Sequence, residues 1–223
     1  MSYNRTAIID NMKFLVLTDL HNQSSAFEWI NKLETDGVDA VLFLGDLTDL
    51  GTSENGSALL KKFTKEVYLI PGNCDPKDLP EKLSGLCHSV HGKSFTIGDI
   101  RFAAFGGSNP TIFNTPFETA EDEIESILDK ICDKVDVLMT HAPSYGILDE
   151  IPSGLHVGST GIKKIVEKYK PKVALSGHIH EAVGIKEIDG TMFINPGPAK
   201  EGHAVMLDID GKNIKAEFVG PSD

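Results

Sequence analysis

Seven side chains stand out by type and by spacing. Asp19 and His21 flank Leu20. Asp46 sits in Gly45-Asp46-Leu47-Thr48-Asp49, and Asn73 in Gly72-Asn73-Cys74-Asp75. His141 follows Thr140, and His178 and His180 flank Ile179 after Gly177. Together they offer two Asp, one Asn and four His, which are oxygen and imidazole donors without thiolate. Such a set suits Mn, Fe, Zn, Ni or Co better than Ca²⁺ or a structural zinc. It is too large for one ion and about right for two divalent metal ions sharing a bridge. Paired ions about 3.5–4 Å apart form the clamp used for in-line displacement at phosphorus. Asp19 and Asp46 offset about half of the charge that two divalent ions bring, leaving roughly +2 to meet an anionic phosphoester and a hydroxide. The ions also lower the pKa of water toward about 7, so a metal-bridging hydroxide can attack at neutral pH without a side-chain base.

These residues can meet only if the fold gathers them. Each group follows an apolar run that reads as a strand: Lys13–Thr18, Ala40–Leu44, Val67–Ile70, Asp136–Met139 and Val173–Leu175. In α/β sheets the carboxyl ends of the strands converge on the binding crevice. Helical patterns separate them at Ser24–Asp36, Asn55–Phe63, Lys77–Leu83, Thr119–Ile131 and Thr160–Tyr169. In the first of these, Ser25 and Glu28 have the spacing of a capping box. Gly98-Asp99, Asp189-Gly190 and Asp210-Gly211 mark hairpins between Ser94–Ile97 and Ile100–Phe105, Ala182–Glu187 and Met192–Ile194, and His203–Ile209 and Asn213–Val219. A parallel half followed by an antiparallel half implies two packed β-sheets flanked by helices.

Composition narrows the function classes. The 223 residues read as one domain, 1–223, with 40% apolar and 24% charged content; disordered and collagen-like chains are excluded. Twenty-one Lys+Arg against 33 Asp+Glu give −12. Such a chain repels polyanions, so long duplex nucleic acid is not an expected partner. No apolar run approaches the roughly 18 residues of a membrane span, and the stretch from Met1 to Lys13 lacks the apolar region of a signal peptide. Three cysteines without framework spacing fit reduced thiols and a cytoplasmic location.

Read in order, the motifs DxH, GDxxD, GN-Cys-Asp, an isolated His and GHxH resemble the pattern of the calcineurin-like metallophosphoesterase superfamily, in its small single-domain prokaryotic phosphodiesterase-like branch. They span Asp19 to His180. The resemblance implies an α/β fold, a four-layer αββα sandwich of two mixed β-sheets flanked by helices. It implies Asp19, His21 and His180 on one ion, Asp46 as bridge, and Asn73, His141 and His178 on the other. Asn73 and His141 are then placed to stabilise charge developing on phosphorus. Gly45, Gly72 and Gly177 would permit tight turns at the strand ends. Asn195-Pro196-Gly197 resembles a loop of this branch, to which no role is carried.

One position departs from the pattern. Many relatives carry His where this chain has Cys74. A thiol is mostly neutral at pH 7 and donates weakly, which disfavours dianionic monoesters and favours phosphodiesters or esters with good leaving groups. The expected substrate is therefore a small phosphoester or nucleotide, hydrolysed as a diester. A non-catalytic interaction module on the same fold and a DNA nuclease are the alternatives.

Other residues read more plainly. Asp49 orients a ligand His or caps a loop, and Asp75, before Pro76, caps the following turn, with tuning of the site as the alternative. His156, in the Gly146–Ser159 loop, reads as a surface residue with substrate contact as the alternative; whether it or Cys74 protonates a leaving group stays open. His88, His91 and His203 read as structural or exposed, Cys87 and Cys132 as small buried apolar residues. The stretch Gly106–Phe117 is a lid or a plain connection. The acidic Thr119–Glu125 turn suits a helix N-terminus.

Overall fold

A computed structural model describes residues 11–211 and 213–221. The start of the chain through residue 10, on which the signal-peptide reading mostly rests, lies outside them. In chain order the strands are β1 (Met12–Leu17), β2 (Ala40–Phe43), β3 (Glu66–Leu69), β4 (His88–Ser89), β5 (Lys93–Ile97) and β6 (Ile100–Phe105), then β7 (Val137–Thr140), β8 (Val173–Leu175), β9 (Gly184–Ile188), β10 (Thr191–Asn195), β11 (Ala204–Asp210) and β12 (Asn213–Val219). The helices are α1 (Phe27–Glu34), α2 (Ser53–Leu60), α3 (Leu79–Lys82), α4 (Glu121–Ile131) and α5 (Thr160–Tyr169).

Alternation along each strand explains the layers. In β1, Leu15 and Leu17 face one way and Phe14 and Val16 the other, and all four are fully buried. Leu15 and Leu17 join Phe43, Ile30 and Leu59 under α1, α2 and α3. Phe14 and Val16 join Phe102, Met139, Leu175 and Ile194 of the other sheet. A third core beneath α4 and α5 holds Phe105, Leu138, Ile124, Leu128, Ile162 and Ile165. Three apolar interfaces between helices, sheet, sheet and helices make the four-layer αββα sandwich.

The division of strands between sheets differs from a parallel half followed by an antiparallel half. The orders are β12-β11-β1-β2-β3-β4 and β5-β6-β7-β8-β10-β9. Each sheet has a parallel centre, β1 to β4 in one and β6-β7-β8-β10 in the other, with antiparallel strands outside it. The C-terminal hairpin returns to pair β11 with β1. Its apolar run Ala204–Leu207 is buried on both faces, which demands an interior place in a sheet and not an edge.

Helix starts also differ in detail. The first begins as a 3₁₀ turn at Ser24–Ala26, and no side chain caps it or α1. Ser25 instead accepts from Gln23 Nε2, so the Ser25/Glu28 capping box does not form. Thr52 caps α2 and Ser159 caps α5. Glu121, in the acidic turn opening α4, accepts from Ser159 Oγ, Thr160 N and Gly161 N at the start of α5. Lys164–Glu125 and Lys168–Asp129 pairs run along the same two helices.

His91 is structural. Its ring lies between Phe105 and Phe117, at 5.0 and 5.1 Å, and its Nδ1 accepts the Gly106 N–H at 2.9 Å. Burial, aided by Lys93, pushes its pKa down to about 4. The unfolded chain then binds more protons between about pH 4 and 6.5. Stability is complete above that window and falls as pH drops through it. His91→Gln keeps an acceptor for Gly106 and removes the titration. Urea melts from pH 7 to 4 are expected to show the variant losing up to about 3 kcal/mol less than the parent chain.

Candidate metal centre

The loops after β1, β2 and β3 deliver Asp19, His21, Asp46 and Asn73 from one sheet. The loops after β7 and β8 deliver His141, His178 and His180 from the other. Interlocked backbone bonds hold the first pair of loops: Asp19 N donates to Gly45 O, and Leu20 N and His21 N donate to Asp46 O. Asp19, His21, Asp46 and His178 themselves take left-handed backbone conformations, with φ of 54°, 46°, 54° and 67°. Such non-glycine positions cost about 1–3 kcal/mol each and persist where the surroundings over-determine them. The tight turns thus fall largely on the donors. Gly45 does turn, at φ 107°, but Gly72 and Gly177 serve close approach: a Cβ would strike the Asp46 carboxylate in one case and Thr18 Oγ1 in the other.

The donor atoms converge in two overlapping groups. His180 Nε2 lies 3.0 Å and His21 Nε2 3.4 Å from Asp19 Oδ1. His21 Nε2 is 3.6 Å and His141 Nε2 3.5 Å from Asp46 Oδ2. Asn73 Oδ1 is 2.9 Å from His141 Nε2. Asp46 Oδ2 therefore stands between the groups. His178 joins through its ring, 5.0 Å from that of His141, while its N–H donates to Asp19 Oδ2. His178 and His180 sit on a turn, not a strand.

The residues fit divalent cations. Asp19 and Asp46 are buried, at 0% and 2% exposure. His21 Nε2 is buried without a hydrogen-bond partner. His141 Nδ1 donates to Leu44 O at 2.8 Å, which turns its Nε2 lone pair toward the carboxylates. The electrostatics have the same sense. Burial pushes the Asp19 carboxyl up, yet the hydrogen bond from His180, the nearby His21 imidazole and the charge of His141 hold it well below the ordinary range. Asp46 is also lowered: its burial is outweighed chiefly by His141. Burial opposes charge on His141, but Asp46, Asp19 and the Leu44 carbonyl raise its pKa to about 9. Desolvation, with His141 adjacent, drops His178 to about 4. The buried carboxylates attract positive charge to this pocket.

Several neighbours take roles the sequence did not reveal. Asp75 does not cap the turn after Pro76. It is fully buried and accepts from Gly72 N, Leu47 N, Thr48 N and Thr48 Oγ1, tying the two loops that carry Asp46 and Asn73. Its burial and the nearby Asp46 raise its pKa to about 6. Thr18 donates to Asp19 Oδ2 at 2.6 Å. Asp49, mostly exposed, lies 3.7 Å from His21 Nδ1. Cys74 donates its backbone N–H to Asp46 Oδ1 at 2.8 Å; burial and the surrounding carboxylates push its thiol far up, so it is uncharged at neutral pH. The three cysteines are free; Cys132 is buried and Cys87 half-buried.

The Gly106–Phe117 loop starts and ends against the same strand end. Gly107 N donates to Pro71 O and Phe117 N to Asn73 O. Glu118 accepts from the N–H and hydroxyl of both Thr111 and Thr115. Those donors outweigh its desolvation and hold its pKa down at about 2. Ile112 and Phe113 project at the tip, 89% and 77% exposed.

Oxygen and imidazole donors thus gather where the two packed sheets meet. The chain belongs to the calcineurin-like phosphoesterase family, whose sequence model matches residues 12–182. An uncharacterized protein of Methanocaldococcus jannaschii, MJ1162, is 31% identical over 223 residues, covering 92% of this chain and 100% of that one. A probable glycerophosphodiester phosphodiesterase of Arcobacter nitrofigilis, GpdQ, is 29% identical over 212 residues, covering 81% and 69%. The crystal structure of TT1561 from Thermus thermophilus has the same fold, with a TM-score of 0.72 at 18% identity over 93% of this chain and 99% of that one.

Gly72→Ala removes no donor yet drives a methyl group into the Asp46 carboxylate. It is expected to match Asp46→Asn in leaving only trace divalent metal after saturation and desalting, measured by elemental analysis, with the circular dichroism spectrum preserved.

Proposed function

We propose that this protein is a dinuclear metal-dependent phosphodiesterase. The observation that carries the reading is the placement of one carboxylate oxygen, Asp46 Oδ2, between His21 Nε2 and His141 Nε2. Asp19, His21 and His180 would hold one ion, Asn73, His141 and His178 the other, with Asp46 shared. When bound, such ions supply Lewis acidity toward phosphoryl oxygen and make water nucleophilic near neutral pH.

The chain's own residues do the rest. Leu44 O fixes the tautomer of His141. Asn73 offers its amide N–H group beside Cys74 Sγ, at 3.4 Å, where it can meet negative charge on a phosphoryl oxygen. Cys74 supplies no cation next to that oxygen. A second negative charge on a monoester therefore lacks a partner there, whereas the monoanion of a diester does not need one. The likeness to a probable glycerophosphodiester phosphodiesterase agrees with that preference.

The test is metal-stripped protein with ions returned singly, assayed on monoesters, diesters and cyclic nucleotides. Hydrolysis of bis-p-nitrophenyl phosphate is expected only after Mn, Fe, Zn, Ni or Co is returned. Bound metal without turnover on any ester would instead mark a binding module. Cys74→His is expected to raise p-nitrophenyl phosphate hydrolysis by roughly tenfold or more; a parent chain already faster on that monoester would remove the diester preference.

A further inference from the structure

We propose that His156 protonates the departing oxygen of the substrate and that Asp149 aims it, a reading that rests on the phosphodiesterase function above. Both residues lie in the loop that runs from the ligand His141 to α5. Asp149 is fully buried although its loop is at the surface. Its Oδ2 accepts from Gly146 N and Gly158 N, both at 2.9 Å, and its Oδ1 lies 2.6 Å from His156 Nδ1. A carboxylate so placed accepts the Nδ1–H hydrogen bond and leaves Nε2 as the atom the ring presents outward. The loop closes around this pair: Val157 N donates to Asp149 O, Ile151 N to Leu155 O, and Glu150 bridges to His156. An ordinary surface histidine has no use for a carboxylate buried beneath it.

The ring lines a groove of about 360 Å³. Its far wall is Glu181, Ala182 and Val183, the residues directly after the ligand His180. The groove thus runs beside the segment that follows His180 and has room for an alcohol moiety. Charged groups facing the ring are Asp149 below it and Glu150, Glu181 and Lys186 along the groove; Tyr145 meets it edge-on at 5.8 Å. The need for such a donor is chemical. An alkoxide is a poor leaving group, and the neighbouring Cys74 is only a weak donor.

In this step the P–O ester bond breaks, its electron pair stays on the alcohol oxygen, and the Nε2 proton moves to that oxygen. Water supplies the hydroxyl that replaces the alcohol on phosphorus, its second proton goes to solvent, and solvent reprotonates the imidazole.

The experiment compares the metal-loaded parent chain with His156→Gln and Asp149→Asn on two esters. Bis-p-nitrophenyl phosphate releases nitrophenolate, which departs without a proton; glycerophosphoethanolamine releases an alcohol. His156→Gln is expected to cut kcat on the alkyl ester about 10²-fold, to change the aryl ester less than about threefold, and to lose the basic limb of the alkyl pH profile. Asp149→Asn is expected to give a smaller loss with the same ester dependence. His156→Gln retains an amide N–H that can serve Asp149, and thermal melts check that each variant stays folded. Equal losses on both esters, no loss on either, or a parent chain that cleaves only the aryl ester would overturn the assignment. A parent chain inert on both esters with metal bound would remove the phosphodiesterase reading itself.

Discussion

Two carboxylates buried side by side set the terms for the rest of this molecule. Asp19 and Asp46 stand at the ends of neighbouring parallel strands, nearly sealed from solvent. Charge in that position is tolerable only with opposite charge close by. The first sheet supplies one imidazole, His21. The other three come from the second sheet, so the centre exists only where the sheets meet. His180 reaches Asp19, the His178 N–H reaches the same carboxylate, and His141 is pinned to Leu44 O across the seam. The apolar layer between the sheets is therefore also the device that sets the spacing of the donors.

That dependence joins stability to chemistry. Four donors occupy left-handed backbone, and two acidic side chains are desolvated among imidazoles. The backbone strain opposes folding, while the imidazoles beside Asp19 and Asp46 keep both carboxylates charged. What holds them is the continuous burial just below, where Leu42, Leu44, Met139 and Leu175 are fully enclosed, with the cross-loop tie made by Asp75 and the Thr18 hydroxyl on Asp19. The strain is local, and the support is distributed over two sheets.

Much of this is legible in the chain itself. Strand runs ending in Asp, Asn or His place the donors on one side of the molecule, since the carboxyl ends of parallel strands converge. The four layers follow from strands apolar on both faces. What is not legible depends on partners far apart in sequence. Nothing local says that Ala204–Leu207 inserts beside β1, because an apolar run states that it needs two neighbours but not which. Ser25 and Glu28 have capping-box spacing, yet the chain enters α1 through a 3₁₀ turn. Asp75 looks like a cap because Pro76 follows it; three of its four donors belong to Leu47 and Thr48, far back in the chain. The His156–Asp149 pair is equally hidden, for a histidine in a glycine-containing loop gives no sign that a buried acid lies beneath it.

The excursion between β6 and α4 is buckled by Glu118, which grips Thr111 and Thr115 on the far side of its own loop. Both ends of the loop rest on the Pro71–Asn73 segment, and Asn109 Nδ2 adds a bond to Val157 O of the loop before α5. Architecturally it is a cassette. A differently shaped insert between the same two strand-end anchors would change the surface beside them while leaving the strand order intact.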